Sequence, residues 1–287
     1  MRFLLLPVAA LVACSSAAFA DDETPPVVGG HTYVQHQILA VKALHPEIAS
    51  ITVVGKWPED KGRLVVIGST ENAANVFKPA IEPHDGSSTA GRYLVVDEPF
   101  LSSSAHRLGT IEIRFRNVPR SKVRDLQVSQ DIQARLARNT LSMKNAVDPY
   151  PFDRAFSPNS YAQKLTERTV KAHPDILVMM IHATPPRGAY NVVIGSNIGR
   201  FGKRADEDDL RVIEKGSTNL EVGGDNDRFE TELPLLDRSG KRIGALGLVF
   251  SLKPHADKEA LHRHGLAIRD EVARAIPNNA ALFQPAH

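Results

Sequence analysis

His173-Pro174-Asp175-Ile176 answers His45-Pro46-Glu47-Ile48, and Val193-Ile194-Gly195-Ser196 answers Val66-Ile67-Gly68-Ser69. The correspondence continues outward from these tetrapeptides. Pro99 is followed by Leu108-Gly109, Ile111, Ile113 and Phe115, and Pro234 is followed at the same offset by Ile243-Gly244, Leu246, Leu248 and Phe250. Farther on, Ile132, Leu136, Ala137 and Arg138 match Ile268, Val272, Ala273 and Arg274. A period this long is that of a domain, not of a solenoid. The chain therefore reads as one module written twice, and its function belongs to the module or to the groove between copies.

Local patterns give each copy the same order of elements. Val34, Ile38, Val41 and Leu44 fall on one helical stripe, which predicts a helix over Thr32–Leu44. His45-Pro46 ends it, because a residue before proline is pushed out of the helical region. Strands are expected at Ile48–Lys56, Arg63–Ser69, Tyr93–Asp97 and Gly109–Arg116, with a long loop over 78–91 and a helix over Ser121–Thr140. Residues 141–160, with Pro149, Pro151 and Pro158, read as a linker. The second copy then gives helix Tyr161–Ala172, strands Leu177–His182 and Tyr190–Ser196, and a short helix Asp206–Glu214. Strands Phe229–Leu236 and Ile243–Leu252 and helix Lys258–Ile276 close it. Helix, two strands, helical crossover, hairpin and helix make an α+β fold on an antiparallel sheet. The expected domains are 31–140 and 161–278, joined by the linker 141–160.

The N-terminus reads as an export signal. Arg2 precedes an apolar run from Phe3 to Val12, and Ala18-Phe19-Ala20 is a small-residue cleavage pattern, so residues 1–20 are expected to be removed. Leu11-Val12-Ala13-Cys14 offers a competing reading, a lipobox in which Cys14 carries the lipid. Either way the expected location is the periplasm or, through Cys14, a lipid anchor in the envelope. Cys14 is the sole cysteine, so the chain has no intramolecular disulfide and its cores must hold it together. Lys and Arg number 35 against 33 Asp and Glu, interspersed without a basic stripe, which argues against a nucleic-acid partner.

The second copy resembles the Cache domain, the PAS-like extracytoplasmic sensor module of bacterial receptors. The likeness rests on three stretches: the helix ending in His173-Pro174-Asp175; Val193-Ile194-Gly195-Ser196-Asn197 leading to Gly202-Lys203; and Leu233-Pro234-Leu235-Leu236-Asp237 with Ile243-Gly244-Ala245-Leu246-Gly247 as the closing hairpin. It spans 161–252. The first copy carries it less fully, with Glu71-Asn72-Ala73-Ala74 where the Gly-Lys element belongs. The resemblance implies a small-molecule pocket over the sheet, for amino acids, carboxylates or amines. The chain lacks the Arg-x-Trp-Tyr motif of some amino-acid binders, and it shows neither the transmembrane helix nor the signalling domain such modules usually feed. A sensor of this kind would pass its message through an envelope or membrane signalling partner.

Five residues cover the pocket in that reading: His182, Tyr190, Asn197, Arg200 and Lys203, with Arg200 or Lys203 holding an anionic group. Plainer roles compete with each. The glycines of 195–203 are not a phosphate loop, since Asn197 stands at the first glycine position and Arg204 follows Lys203. Asp206, Glu207, Asp208 and Asp209 suit the positive end of a helix dipole. His45 and His173 look like corner residues, and Trp57 is a core or hinge aromatic or a pocket wall. No metal site is expected, because His262 and His264 are two apart and helical ligand pairs need three or four. Gly-x-Ser-x-Gly and His-Glu-x-x-His are absent, so neither catalysis nor a cofactor is expected. The expected function is an exported sensor-type or binding protein; the alternative is a non-catalytic envelope module regulating a partner protein.

Overall fold

The structure is a computed structural model; it describes residues 31–56, 64–71, 86–90, 93–116, 121–156, 158–223 and 226–286. Helix α1 (Tyr33–Leu44) leads to strands β1 (Ile48–Lys56), β2 (Leu64–Ser69), β3 (Gly86–Ala90), β4 (Tyr93–Leu101) and β5 (Arg107–Arg116), then to helix α2 (Lys122–Arg138). A short helix α3 (Met143–Val147) precedes α4 (Tyr161–Ala172), β6 (Ile176–Ala183), β7 (Val192–Ser196) and α5 (Glu207–Lys215). The chain continues through β8 (Asn219–Val222), β9 (Arg228–Leu236), β10 (Arg242–Ser251), α6 (Lys258–Ala275) and α7 (Asn279–Leu282). The fold is α+β, with two five-stranded antiparallel sheets, in the orders β2-β1-β5-β4-β3 and β7-β6-β10-β9-β8. It is compatible with two PAS-like domains. None of the described helices is long and apolar enough to cross a membrane.

The two halves repeat at the level of single hydrogen bonds. Thr32 caps α1 by accepting from Gln35 N and donates to Ile67 O at 2.8 Å; Ser160 caps α4 by accepting from Gln163 N and donates to Ile194 O at 3.1 Å. Gln35 accepts from Ser69 N at 2.7 Å and Gln163 accepts from Ser196 N at 2.8 Å. Each first helix is thus pinned to its sheet's edge strand by its own cap and by a buried amide three residues on. His45 and His173 are the C-caps, at φ −125°, ψ 79° and φ −122°, ψ 79°, so both occupy the expected corner.

Each sheet has its own core. Val34, Ile38, Ile51, Ile111, Phe115 and Leu136 belong to the first; Leu165, Met179, Ile181, Leu246, Phe250 and Ile268 belong to the second. Burying such a side chain contributes about 1.5–3 kcal/mol, so these clusters supply the main stabilisation of a chain that has no crosslink. Alternation along β9 sends Phe229, Thr231, Leu233 and Leu235 into the buried layer shared with α6. Glu230, Glu232 and Pro234 therefore face the other way, toward α5.

Several expectations needed revision. Gly86–Ala90, expected within a loop, forms β3, and Asn219–Val222 forms β8 at the equivalent edge of the second sheet. Both are polar segments ordered by pairing with the free backbone of β4 and of β9. The linker 141–160 contains α3, whose Met143, Ala146 and Val147 join the first core. The strand expected from Tyr190 starts at Val192. Residues 1–20 with Cys14, Trp57 and most of the 78–91 loop lie outside the described residues.

Gly109 and Gly244 hold matching places opposite β1 and β6, where the backbones approach most closely. A Cβ at Gly109 would land on the carbonyl oxygen of Val54, and one at Gly244 on that of His182. Backbone cannot yield as a side-chain tip can. Gly109→Ala and Gly244→Ala should each lower stability by roughly 1–3 kcal/mol in urea unfolding, whereas Gly247→Ala, whose Cβ would meet nothing nearer than 4.0 Å, should not show this steric loss.

Candidate functional site

The connection after β7 does not reach over the sheet as expected. It turns toward the segment between the halves. Arg200, at φ 73° and only 3% exposed, pairs with Asp148 and donates from Nη1 to Asn145 O at 3.3 Å. Lys203 Nζ reaches the same Asp148 carboxylate at 2.9 Å. The Arg200 guanidinium also lies 5.2 Å from the Tyr33 ring centre and 5.8 Å from that of Phe152, within cation–π range. Tyr33 OH donates to Ile198 O at 2.7 Å, and Tyr190 OH to Asp153 at 2.5 Å. Burial lowers Arg200 to about 10, and burial followed by the neighbouring Arg200 charge lowers Lys203 to about 8.

The five sequence-selected residues therefore do not form one pocket. Arg200 and Lys203 share Asp148, and Tyr190 engages Asp153. Asn197 is fastened to the β6 backbone, accepting from Met179 N and donating to Leu177 O, both at 2.9 Å. His182 alone lies on the sheet face beneath α5. A cleft of about 410 Å³ does form at the junction, lined by Tyr33, His36, Tyr150, Phe152 and Arg200 among others, but the Arg200 side chain is already engaged by its walls. A larger groove, about 820 Å³, runs between α4 and the C-terminal tail; none of the residues whose protonation is perturbed lines it.

The sheet face under α5 has different chemistry. His182 Nδ1 lies 3.3 Å from Asp209 Oδ2, with both side chains almost fully buried. Asp206 and Asp209 form a reciprocal capping box at the start of α5, and Glu207, Asp208 and Asp209 occupy its first turn, where they meet the helix dipole as expected. Asp209 has a second role, because its other neighbours are His182 and the acids of β9. In the pairing across the sheet, His182 lies beside Ala245 and Pro234, while Met180 lies beside Gly247 and Glu232. Gly247 is buried, yet a Cβ built on it would meet nothing nearer than Met180 Cβ at 4.0 Å. There is therefore room for a side-chain carbon above Gly247, on the face that Glu232 shares.

Desolvation governs these groups. Burial lowers His182 to about 4, with Lys203 adding to that effect and Asp206 opposing it. Burial, then Asp206, raises Asp209 to about 7. Glu230 rises to about 8 through burial and then Glu232, and Glu232 rises to about 7 through burial and then Asp209. Asn219 Nδ2 donates to Glu232 at 3.3 Å, one partner for a carboxylate with capacity for more. Three crowded acids kept partly protonated beside a neutral imidazole form a site that a cation would relieve. The sequence signal was Phe229-Glu230-Thr231-Glu232-Leu233, whose alternation places two glutamates opposite the core side.

No family model matches this chain, and no curated protein matches it. Among solved structures it is similar to the inducer-binding domain of the PobR transcription factor from Acinetobacter, a double mutant in complex with 3-hydroxybenzoic acid. The identity is 11%, over 85% of this chain and 95% of that one, with a TM-score of 0.19, too slight a likeness to assign a fold or a ligand.

Arg200→Ala should cost about 3–5 kcal/mol in urea unfolding, because it leaves the Asp148 carboxylate short of its main partner. Arg204→Ala, which removes an exposed side chain stacked 4.0 Å over Tyr190 and near Asp153, should cost about 1 kcal/mol or less. The acids set a pH dependence of their own. Folded Asp209, Glu230 and Glu232 hold protons at pH values where the unfolded chain has lost them, so stability declines as pH rises toward about 8. His182 acts in the opposite sense only below its unfolded value of 6.5, and Lys203 only above about 8. The urea midpoint should therefore fall between pH 6.5 and 8, and fall less in Glu232→Gln; a level midpoint would contradict this assignment.

Proposed function

We propose that the chain is an exported binding or sensor-type protein of two tandem PAS/Cache-like domains. Its second domain holds a small molecule between the sheet face and α5, and the first is a degenerate copy that packs or docks. One observation carries this reading: Asp209, Glu230 and Glu232 crowd a sheet face that has room above Gly247 and a neutral His182 at its side. The ligand is accordingly a cation, an amine or a guanidine, rather than the carboxylate expected from Arg200 and Lys203. Those two charges already meet at Asp148. His182, uncharged, closes the site without repelling such a ligand and can accept a hydrogen bond from it.

A panel of mono- and polyamines, guanidines and carboxylates screened by thermal shift at pH 7.5 tests the proposal. An amine or guanidine should raise the melting temperature, and its affinity should strengthen from pH 6 to pH 8 as the acids ionise. Glu232→Gln should weaken it about tenfold or more, the loss of one charged hydrogen bond worth ~1.5–3 kcal/mol. A shift produced by carboxylates alone, or an amine affinity unchanged in both Glu232→Gln and Asp209→Asn, would defeat this reading.

A further inference from the structure

A second cluster lies on the other side of the second sheet, where the end of α4 meets α6. His173 caps α4, Asp175 follows two residues later, and His264 projects from α6. One ligand atom from each of the three lies within 4.8 Å of the other two. His264 Nε2 is 3.0 Å from an Asp175 oxygen, and His173 Nε2 is 3.0 Å from Glu271, one further residue of α6. Donor atoms on a tetrahedral zinc sit about 3.3 Å apart, given metal–ligand bonds of about 2.0–2.2 Å, so little movement separates this arrangement from a coordination shell. Spacing within α6 could not show this, because the partner of His264 comes from α4's cap and not from a neighbouring turn.

The internal repeat supplies an independent comparison. The first half keeps the corner pair, His45 with Glu47 at 3.1 Å. Four residues before Ile132, however, stands Val128, where His264 stands before Ile268; Arg135 stands where Glu271 does. The fold therefore holds the helix cap without the α6 histidine and glutamate. The second half has added two donors at the position where they complete a cluster.

We propose that His173, Asp175 and His264 bind a divalent transition metal, zinc in the first instance. Glu271 orients His173 or supplies an oxygen as the fourth ligand. Two imidazoles and two carboxylates suit zinc better than calcium or magnesium, which favour oxygen alone. With three firm ligands the ion keeps a position for water, and it ties the end of α4 to the middle of α6.

Titration of the full, metal-free protein with ZnCl2 by calorimetry tests this, with Co2+ as a spectroscopic probe. One ion per chain is expected, with the visible absorption of cobalt in a four- or five-coordinate site and a higher melting temperature with zinc. His173→Ala and His264→Ala should each weaken binding more than tenfold and abolish the cobalt spectrum. Glu271→Gln should weaken it about 10–100-fold, as outer partners of metal ligands do. His255→Ala, an exposed histidine outside the cluster, should change nothing. All these side chains are partly exposed, so the variants should keep the fold, checked by their melting curves without metal; Asp175→Asn provides a second route if one does not. No zinc binding by the folded protein, or affinity retained in the His173/His264 double variant, would overturn the proposal.

Discussion

A single carboxylate, Asp148, gathers two cations of the second half where the halves meet. It lies just beyond α3, which is packed into the first core, and it receives Arg200 and Lys203 from the connection that follows β7. A buried guanidinium cannot shed its charge at ordinary pH, so it requires a partner of opposite sign with good geometry. Asn145 and the faces of Tyr33 and Phe152 complete that environment. Arg200 accordingly adopts a left-handed backbone, unusual for a residue with a long side chain, and the connection turns toward the junction.

This arrangement separates the charges of the second half. Arg200, its most deeply placed cation, and Lys203 meet Asp148 at the junction, while three of its acids gather on the sheet under α5. Burial raises Glu230 and Glu232, and neither Arg228 beside the first nor the Asn219 amide on the second offsets it. A fold optimised for stability alone would place apolar residues on such a face, as β6 and β10 do with Val178 and Val249. Acids crowded on one face with protonation shifted upward are instead a frequent mark of a site arranged for something other than stability.

Much of the architecture was legible because it repeats. Helix ends, the inner strands and the closing hairpin follow from hydrophobic period and from His-Pro stops, signals that a single sequence states directly. The edge strands β3 and β8 were not legible, since Ser87, Ser88 and Asn219 acquire strand geometry from the unpaired backbone beside them, not from their side chains. The candidate site failed in a related way. Arg200 and Lys203 have the chemistry of anion-binding residues, and nothing local reveals that Asp148, more than fifty residues earlier, occupies them. Asp209 was read as an acid suited to the helix dipole, and it does stand in the first turn of α5, but its contact with His182 depends on how α5 crosses the sheet. Residue type can be read from sequence; the partner that consumes a charge cannot.

Lys203 connects these two regions. Its ammonium reaches Asp148 at the junction, yet its protonation also responds to Asp206 and Asp209 on α5, and Asp209 is in turn held down by it. The joint between the halves is thus electrically exposed to the sheet face. A proton gained or lost at Asp209 alters the work of keeping Lys203 charged. Lys203 therefore carries the charge state of α5's first turn into the contact between the halves.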